Sequence, residues 1–131
     1  MATYDPPAGP RNSARARRQK DLTSVWSLRR IREAMDLSEA ELAAIFGVSE
    51  ATARHWLRGN PPGPARAARA AGVLELCDFL ISRLKPLALP ALARRGTSSY
   101  YGQNMLALLS YGRERELLAE YRQLFDWAVG A

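Results

Sequence analysis

Residues 37–58 read LSEAELAAIFGVSEATARHWLR, and their local chemistry prescribes two short helices joined by a sharp turn. Ser38 stands three residues ahead of Glu41. Its hydroxyl can take the Glu41 amide while the Glu41 carboxylate reaches back to the amide of Ser38, so a helix starts there. That helix buries Leu42, Ile45 and Phe46 and stops at Gly47, because a residue without a β-carbon enters the left-handed conformation of a tight turn at little cost. Ser49 caps a second helix running to about Arg58. Gly59, Asn60, Pro61 and Pro62 end it, since proline lacks the amide donor and glycine and asparagine suit a helix terminus.

Two helices in this arrangement need a small residue where they touch, a glycine at the turn and a polar outer face on the second helix if that helix is to enter a major groove. Ala43 meets the first requirement and Gly47 the second, Val48 seals the turn, and Ala53 and Trp56 face inward. Ser49, Glu50, Thr52, Arg54, His55 and Arg58 are left outside or at the edge. The pattern is that of a helix-turn-helix, and its candidate DNA-binding residues are Ser49, Thr52, Arg54, His55 and Arg58. A guanidinium can donate two bonds to guanine or clamp a phosphate, which singles out Arg54 and Arg58. Ser49 and Thr52 lie near a helix N-terminus, where backbone amides and the dipole favour a phosphate. Glu50 either accepts from a cytosine amine or serves as a first-turn acid that stabilises the dipole. His55 reads as an exposed groove or surface residue, with no second histidine or nucleophile beside it.

Working outward, Val25, Leu28, Ile31 and Met35 recur every three or four residues and predict a helix over Leu22 to Met35 with one buried face. Before it, residues 1–20 combine Pro6, Pro7, Gly9 and Pro10 with a basic run and are expected to form a flexible basic arm that either neutralises phosphates or enters a minor groove, or is a solvated tail that aids solubility. Pro64 suits the first turn of a long helix to about Lys85, with Val73, Cys77, Leu80 and Leu84 in one stripe that Leu76 and Ile81 widen. A kink or short turn of helix follows between Pro86 and Arg95, then a loop over Gly96 to Ser99, a short helix around Gln103 to Ser110 and a last helix from about Arg113 to Trp127. Its stripe is Leu117, Tyr121, Leu124 and Ala128, with Leu118 and Phe125 alongside. The expected fold is all-α and compact: an arm over 1–20, a helix-turn-helix domain over 21–63 and a second helical unit over 64–131.

Composition narrows the chemistry. Of the 131 residues 47% are apolar, ordinary for a globular protein. Cys77 is the only cysteine and His55 the only histidine, so no intramolecular disulfide and no zinc site of the usual ligands is available, and neither a metal nor a cofactor is expected. Neither a signal peptide nor a membrane-spanning run is expected, and a reducing, cytoplasmic setting follows. No nucleophile with a base, and no pair of carboxylates, argues for an enzyme. The net charge of +6 points to an anionic partner, but it is unevenly spread. Residues 1–20 carry five positive side chains against Asp5, and residues 61–95 carry six against Glu75 and Asp78. Residues 96–131 carry three against four acids, and residues 38–60 carry Arg54 and Arg58 against Glu39, Glu41 and Glu50. Tight binding by one such unit is not expected without dimerisation or help from the arm.

Leu28 to Pro62, with its Arg-Glu-Ala-Met-Asp-Leu-Ser, Glu-Leu-Ala, Phe-Gly-Val-Ser and Trp-Leu-Arg-Gly pieces, resembles the Xre/Cro class of bacterial helix-turn-helix proteins. The run Gly102-Gln103-Asn104-Met105-Leu106-Ala107-Leu108-Leu109-Ser110-Tyr111-Gly112-Arg113, with Leu117, Leu118 and the ending Phe125-Asp126-Trp127, is similar to the C-terminal toxin-binding domain of Xre/MbcA/ParS antitoxins, over roughly Gly72 to Ala131. Family members often show paired glycines and a proline before the leucine-rich helix, where this chain has Tyr101-Gly102 and Asn104. The resemblance implies a type II antitoxin whose C-terminal region covers the active site of a RES-domain toxin that consumes NAD, while the helix-turn-helix represses the shared operon. It makes Tyr111, Arg113, Phe125 and Trp127 candidate toxin contacts, as aromatic and arginine residues commonly are at interfaces. The implied partners are the cognate toxin and double-stranded operator DNA, with a homodimer or a hetero-oligomer containing the toxin and no membrane. The alternative is a stand-alone transcription regulator whose last helices mediate dimerisation.

Overall fold

Among the described residues seven helices follow one another in chain order: α1 (Ala8–Met35), α2 (Glu39–Phe46), α3 (Glu50–Leu57), α4 (Pro64–Arg83), α5 (Ala88–Arg94), α6 (Met105–Ser110) and α7 (Glu114–Gly130). The computed structural model describes the backbone of residues 8–85, 87–96 and 102–130, and the side chains of those from Leu22 to Asp126. The fold is all-α, with no strand among the described residues.

α1 starts at Ala8, well ahead of the expected start at Leu22, so the stretch read as an arm is helical backbone from residue 8 onward. The reason lies in composition. Ala14 to Lys20 consist of alanine, arginine, glutamine and lysine, all strong helix formers, and Pro10 falls in the first turn, where an amide has no intrahelical acceptor. Residues 1–7 lie outside the described residues.

α4 is the central strut, with α1 and α7 packed along it; α2 pairs with α3 and rests on α6, while α5 bridges α1 and α6. The buried set follows the expected period in α1, where Val25, Leu28, Ile31 and Met35 are all within 1% of full burial. Each such side chain contributes about 1.5–3 kcal/mol on leaving water. In α4 Val73, Leu76, Cys77 and Leu80 are buried in line with the stripe, but Ile81 is exposed and Leu84 only partly covered. Ile81 belongs to the outer flank of the helix. In α7 the buried face is Glu114, Leu117 and Leu118, with Tyr121 and Phe125 packed beside them. Leu124, expected in the stripe, is 62% exposed. The stripe turns toward Phe125 because Phe79 of α4 meets that ring edge to face at 5.9 Å. Ala128 lies outside the described side chains.

One buried cluster runs from Leu28 through Phe46, Trp56 and Leu80 to Leu118. The helix-turn-helix and the C-terminal helices therefore share a core. Residues 97–101 lie outside the described residues, but Gly96 and Gly102 on either side of them meet. A β-carbon on Gly96 would stand 2.5 Å from the Gly102 carbonyl oxygen, a distance that real side chains do not tolerate.

Candidate DNA-binding interface

The turn is built by the local chemistry of its own residues. Ser38 accepts the Glu41 amide at 3.1 Å and its own amide donates to Glu41 Oε1 at 2.9 Å, completing a reciprocal cap at the start of α2. Gly47 takes φ +66°, and the Val48 amide behind it donates to the Ala43 carbonyl at 3.0 Å. Ser49 then accepts the Thr52 amide at 3.1 Å. Its hydroxyl also lies 2.9 Å from Thr52 Oγ1, so the first turn of α3 is tied down twice.

Ala53 is fully buried where α3 meets α2, and Trp56 packs edge to face on Phe46 with centroids 5.9 Å apart. These anchors fix the rotation of α3 about its own axis. Glu50, Ala51, Arg54, His55 and Arg58 consequently lie at or near the surface, with Thr52 half-buried at the edge. The far end of α3 is held by Arg29 of α1, whose Nε and Nη2 donate to the Leu57 carbonyl at 2.9 and 2.7 Å. A cation on terminal carbonyls satisfies them and complements the helix dipole. Asn60 adds a bond to the His55 carbonyl at 3.2 Å, and its amide lies 3.4 Å from the His55 ring.

Of the five residues assigned to DNA, Ser49 and Thr52 also serve as the helix cap. Arg54 and His55 are exposed on α3, and Arg58, which follows as its C-terminal cap, is exposed as well. Arg54 is not a bare cation. Its Nε donates to Glu39 Oε2 at 2.7 Å across the turn, and its Nη2 stands 4.0 Å from Glu50 Oε1 one helical turn back. Glu39 gives no signal in the sequence, since it sits fifteen residues from Arg54 and only the packing of α2 on α3 brings them together.

Of the four residues assigned to a toxin, three have described side chains. Tyr111, just beyond α6, is 67% exposed. Arg113 is exposed and ion-paired to Glu116. Phe125 packs on Phe79 against the core, and the side chain of Trp127 lies outside the described residues.

Much of the positive charge over 61–95 proves to be structural. Arg66 donates to the Phe46 carbonyl at 3.2 Å and Arg69 to the Ile45 carbonyl at 2.8 Å, so two cations from α4 close the C-terminus of α2. Arg94 bonds the carbonyls of Met35 and Asp36 at 2.8 and 2.7 Å and pairs with Glu41 at 3.0 Å. Arg83 lies over the Phe79 ring at 5.0 Å. Of these guanidinium groups, Arg69 and Arg94 also have their charge countered by an acid, Glu114 and Glu41 respectively. Among the described residues no group of acidic, histidine or cysteine side chains could hold a metal ion. No helix among them is long and apolar enough to cross a membrane.

No curated protein and no solved structure matches the chain. Residues 28–80, which take in the end of α1, all of α2 and α3 and most of α4, match the helix-turn-helix family model, a match that supports a DNA-binding helix-turn-helix of the Xre/Cro-like kind over that stretch.

Proposed function

We propose that this chain is a type II antitoxin: an operator-binding autorepressor through α3 whose C-terminal helices neutralise a RES-domain toxin, acting as a homodimer or as a hetero-oligomer with that toxin. The observation that carries the DNA half is the outward placement of α3, with Arg54 and His55 at the surface, Arg58 at the helix end and Ala53 and Trp56 locking the helix from behind. What supports the toxin half is the resemblance over 102–127 together with exposed apolar groups on a segment that is not basic. Tyr111 stands out at the end of α6 and Leu124 from the body of α7, and Gly102 and Gly112 bracket α6 at φ +81° and +76°.

The test is co-expression with the toxin encoded in the adjacent reading frame. Growth should be rescued by the natural chain and equally by the Arg54→Ala, Arg58→Ala double variant, which no longer binds the operator. If neither a complex nor rescue is obtained, the antitoxin reading is wrong. The second reading, a stand-alone regulator, is favoured by the ties of α7 to α4 through Arg122 with Glu75 at 3.1 Å and Phe79 with Phe125, which give the last helix an internal job. Isolation of the chain from its native host separates the two, because only an antitoxin would arrive with a stoichiometric toxin.

A further inference from the structure

Around Arg54 two carboxylates and one guanidinium meet on the face that is to approach a polyanion. Glu39 on α2 holds Nε at 2.7 Å, and Glu50 on α3 stands 4.0 Å from Nη2. The three charges sum to −1, so this cluster repels phosphates and cannot serve as an electrostatic clamp. Its geometry suits a different task. A guanidinium offers two bidentate edges, one through Nε and one through its two terminal nitrogens. With Nε occupied by Glu39, the edge left for a ligand is the terminal pair, which matches the O6 and N7 acceptors of guanine in the major groove. Arg54 retains 45% side-chain exposure, and Glu50, 4.0 Å from Nη2, stands too far to hydrogen-bond that edge.

We propose that Glu39 is the positioning residue of the interface: through its bond to Nε it orients Arg54 end-on toward one guanine of the bound duplex, gaining base discrimination at the expense of general affinity for DNA. The inference rests on the reading of α3 as the groove-facing helix. Glu39 touches no base itself. It restricts the rotamers of a long side chain, so that less conformational freedom is lost when the guanine is engaged. Since Ser38 and Glu41 form the cap of α2, substitution of Glu39 leaves the start of the helix intact.

The experiment selects binding sites for the full chain from a randomised duplex pool. It then measures affinity for the selected duplex, for the same duplex with one G·C pair changed to A·T, and for an unrelated duplex. Natural protein should select one guanine position per half-site and lose roughly 5- to 100-fold on its replacement, the range set by a bidentate arginine contact. Arg54→Lys should abolish that preference. Glu39→Ala should cut discrimination at that position at least fivefold while binding the unrelated duplex as well as or better than the natural chain. Glu39→Gln keeps an acceptor for Nε and should restore most of the discrimination, together with the gain in general affinity. Thermal unfolding confirms that each variant is folded. If Glu39→Ala strengthened all duplexes alike with the guanine preference intact, Glu39 would be a mere countercharge and the proposal overturned. The same holds if no guanine position responded to Arg54→Lys. Failure of the natural chain to enrich any duplex would instead remove the groove-facing reading on which the proposal stands.

Discussion

The guanidinium of Arg69 serves three other elements at once. From α4 it bonds the Ile45 carbonyl of α2, the Leu109 carbonyl of α6 and both oxygens of Glu114 at the start of α7, and it lies 5.1 Å over the Phe46 ring. Glu114 is only 8% exposed, so removal of Arg69 strands a buried carboxylate as well as two helix-terminal carbonyls. Arg69→Met, similar in reach but uncharged, should cost about 3 kcal/mol in a urea unfolding titration, the low end for a buried charge that loses its partner. Glu41 gives a pH-dependent counterpart. The Ser38 amide holds its carboxyl below the ordinary 4.5 against an opposing effect of burial, and the Arg94 guanidinium adds to the lowering. A carboxylate with a lowered folded value stabilises above its unfolded value and loses that contribution as pH falls through the folded one. The stability gap between the natural chain and Glu41→Gln should be widest near neutrality and close progressively below pH 4.5, as read from thermal unfolding across an acid series.

At the level of single helices, local signals suffice for most of the fold. The caps at Ser38 and Ser49, the left-handed Gly47 and the three-four spacing of α1 depend on neighbours within a few residues, and each is legible in the sequence. A β-carbon added at Gly47 would meet nothing within 4 Å, so the requirement for glycine there is conformational alone. Gly47→Ala should therefore cost about 1–2 kcal/mol without any steric clash, and an asparagine there should cost less. Chemical denaturation of the two variants checks the order. Where the spacing misleads, a specific partner is responsible. Leu124 satisfies the period of α7 as well as Phe125 does, yet only Phe125 has Phe79 to meet. The early start of α1 is hidden because Gly9 and Pro10 resemble helix breakers, although a first-turn proline breaks nothing.

Over the whole molecule, the less legible part is the long-range electrostatics. The Glu39–Arg54 pair spans fifteen residues, and the reach of Arg94 to Met35, Asp36 and Glu41 spans more than fifty. No periodicity announces such bonds, so the +6 charge can be counted from the residues but not divided into internal and outward shares. The candidate recognition residues can be named because they are what remains of α3 once its inner face is assigned; the orientation of Arg54 cannot. Cys77, at the centre of the shared core, reports on the molecule as one unit. Burial pushes its thiol up to about 12, with Asp78 adding to the effect. Iodoacetamide should modify Cys77 only upon global unfolding, so the labelling rate in increasing urea should track the unfolded fraction measured by circular dichroism.

The sharing of Arg69 among α2, α4, α6 and α7 bears on how this protein can be re-engineered. A chimera that transplants residues 28–80 onto a foreign effector keeps the arginine but discards Leu109 and Glu114, its acceptors beyond the graft. Such a transplant carries an unclosed flank on α2 and α4 and needs a replacement floor before it can serve as a portable reading head.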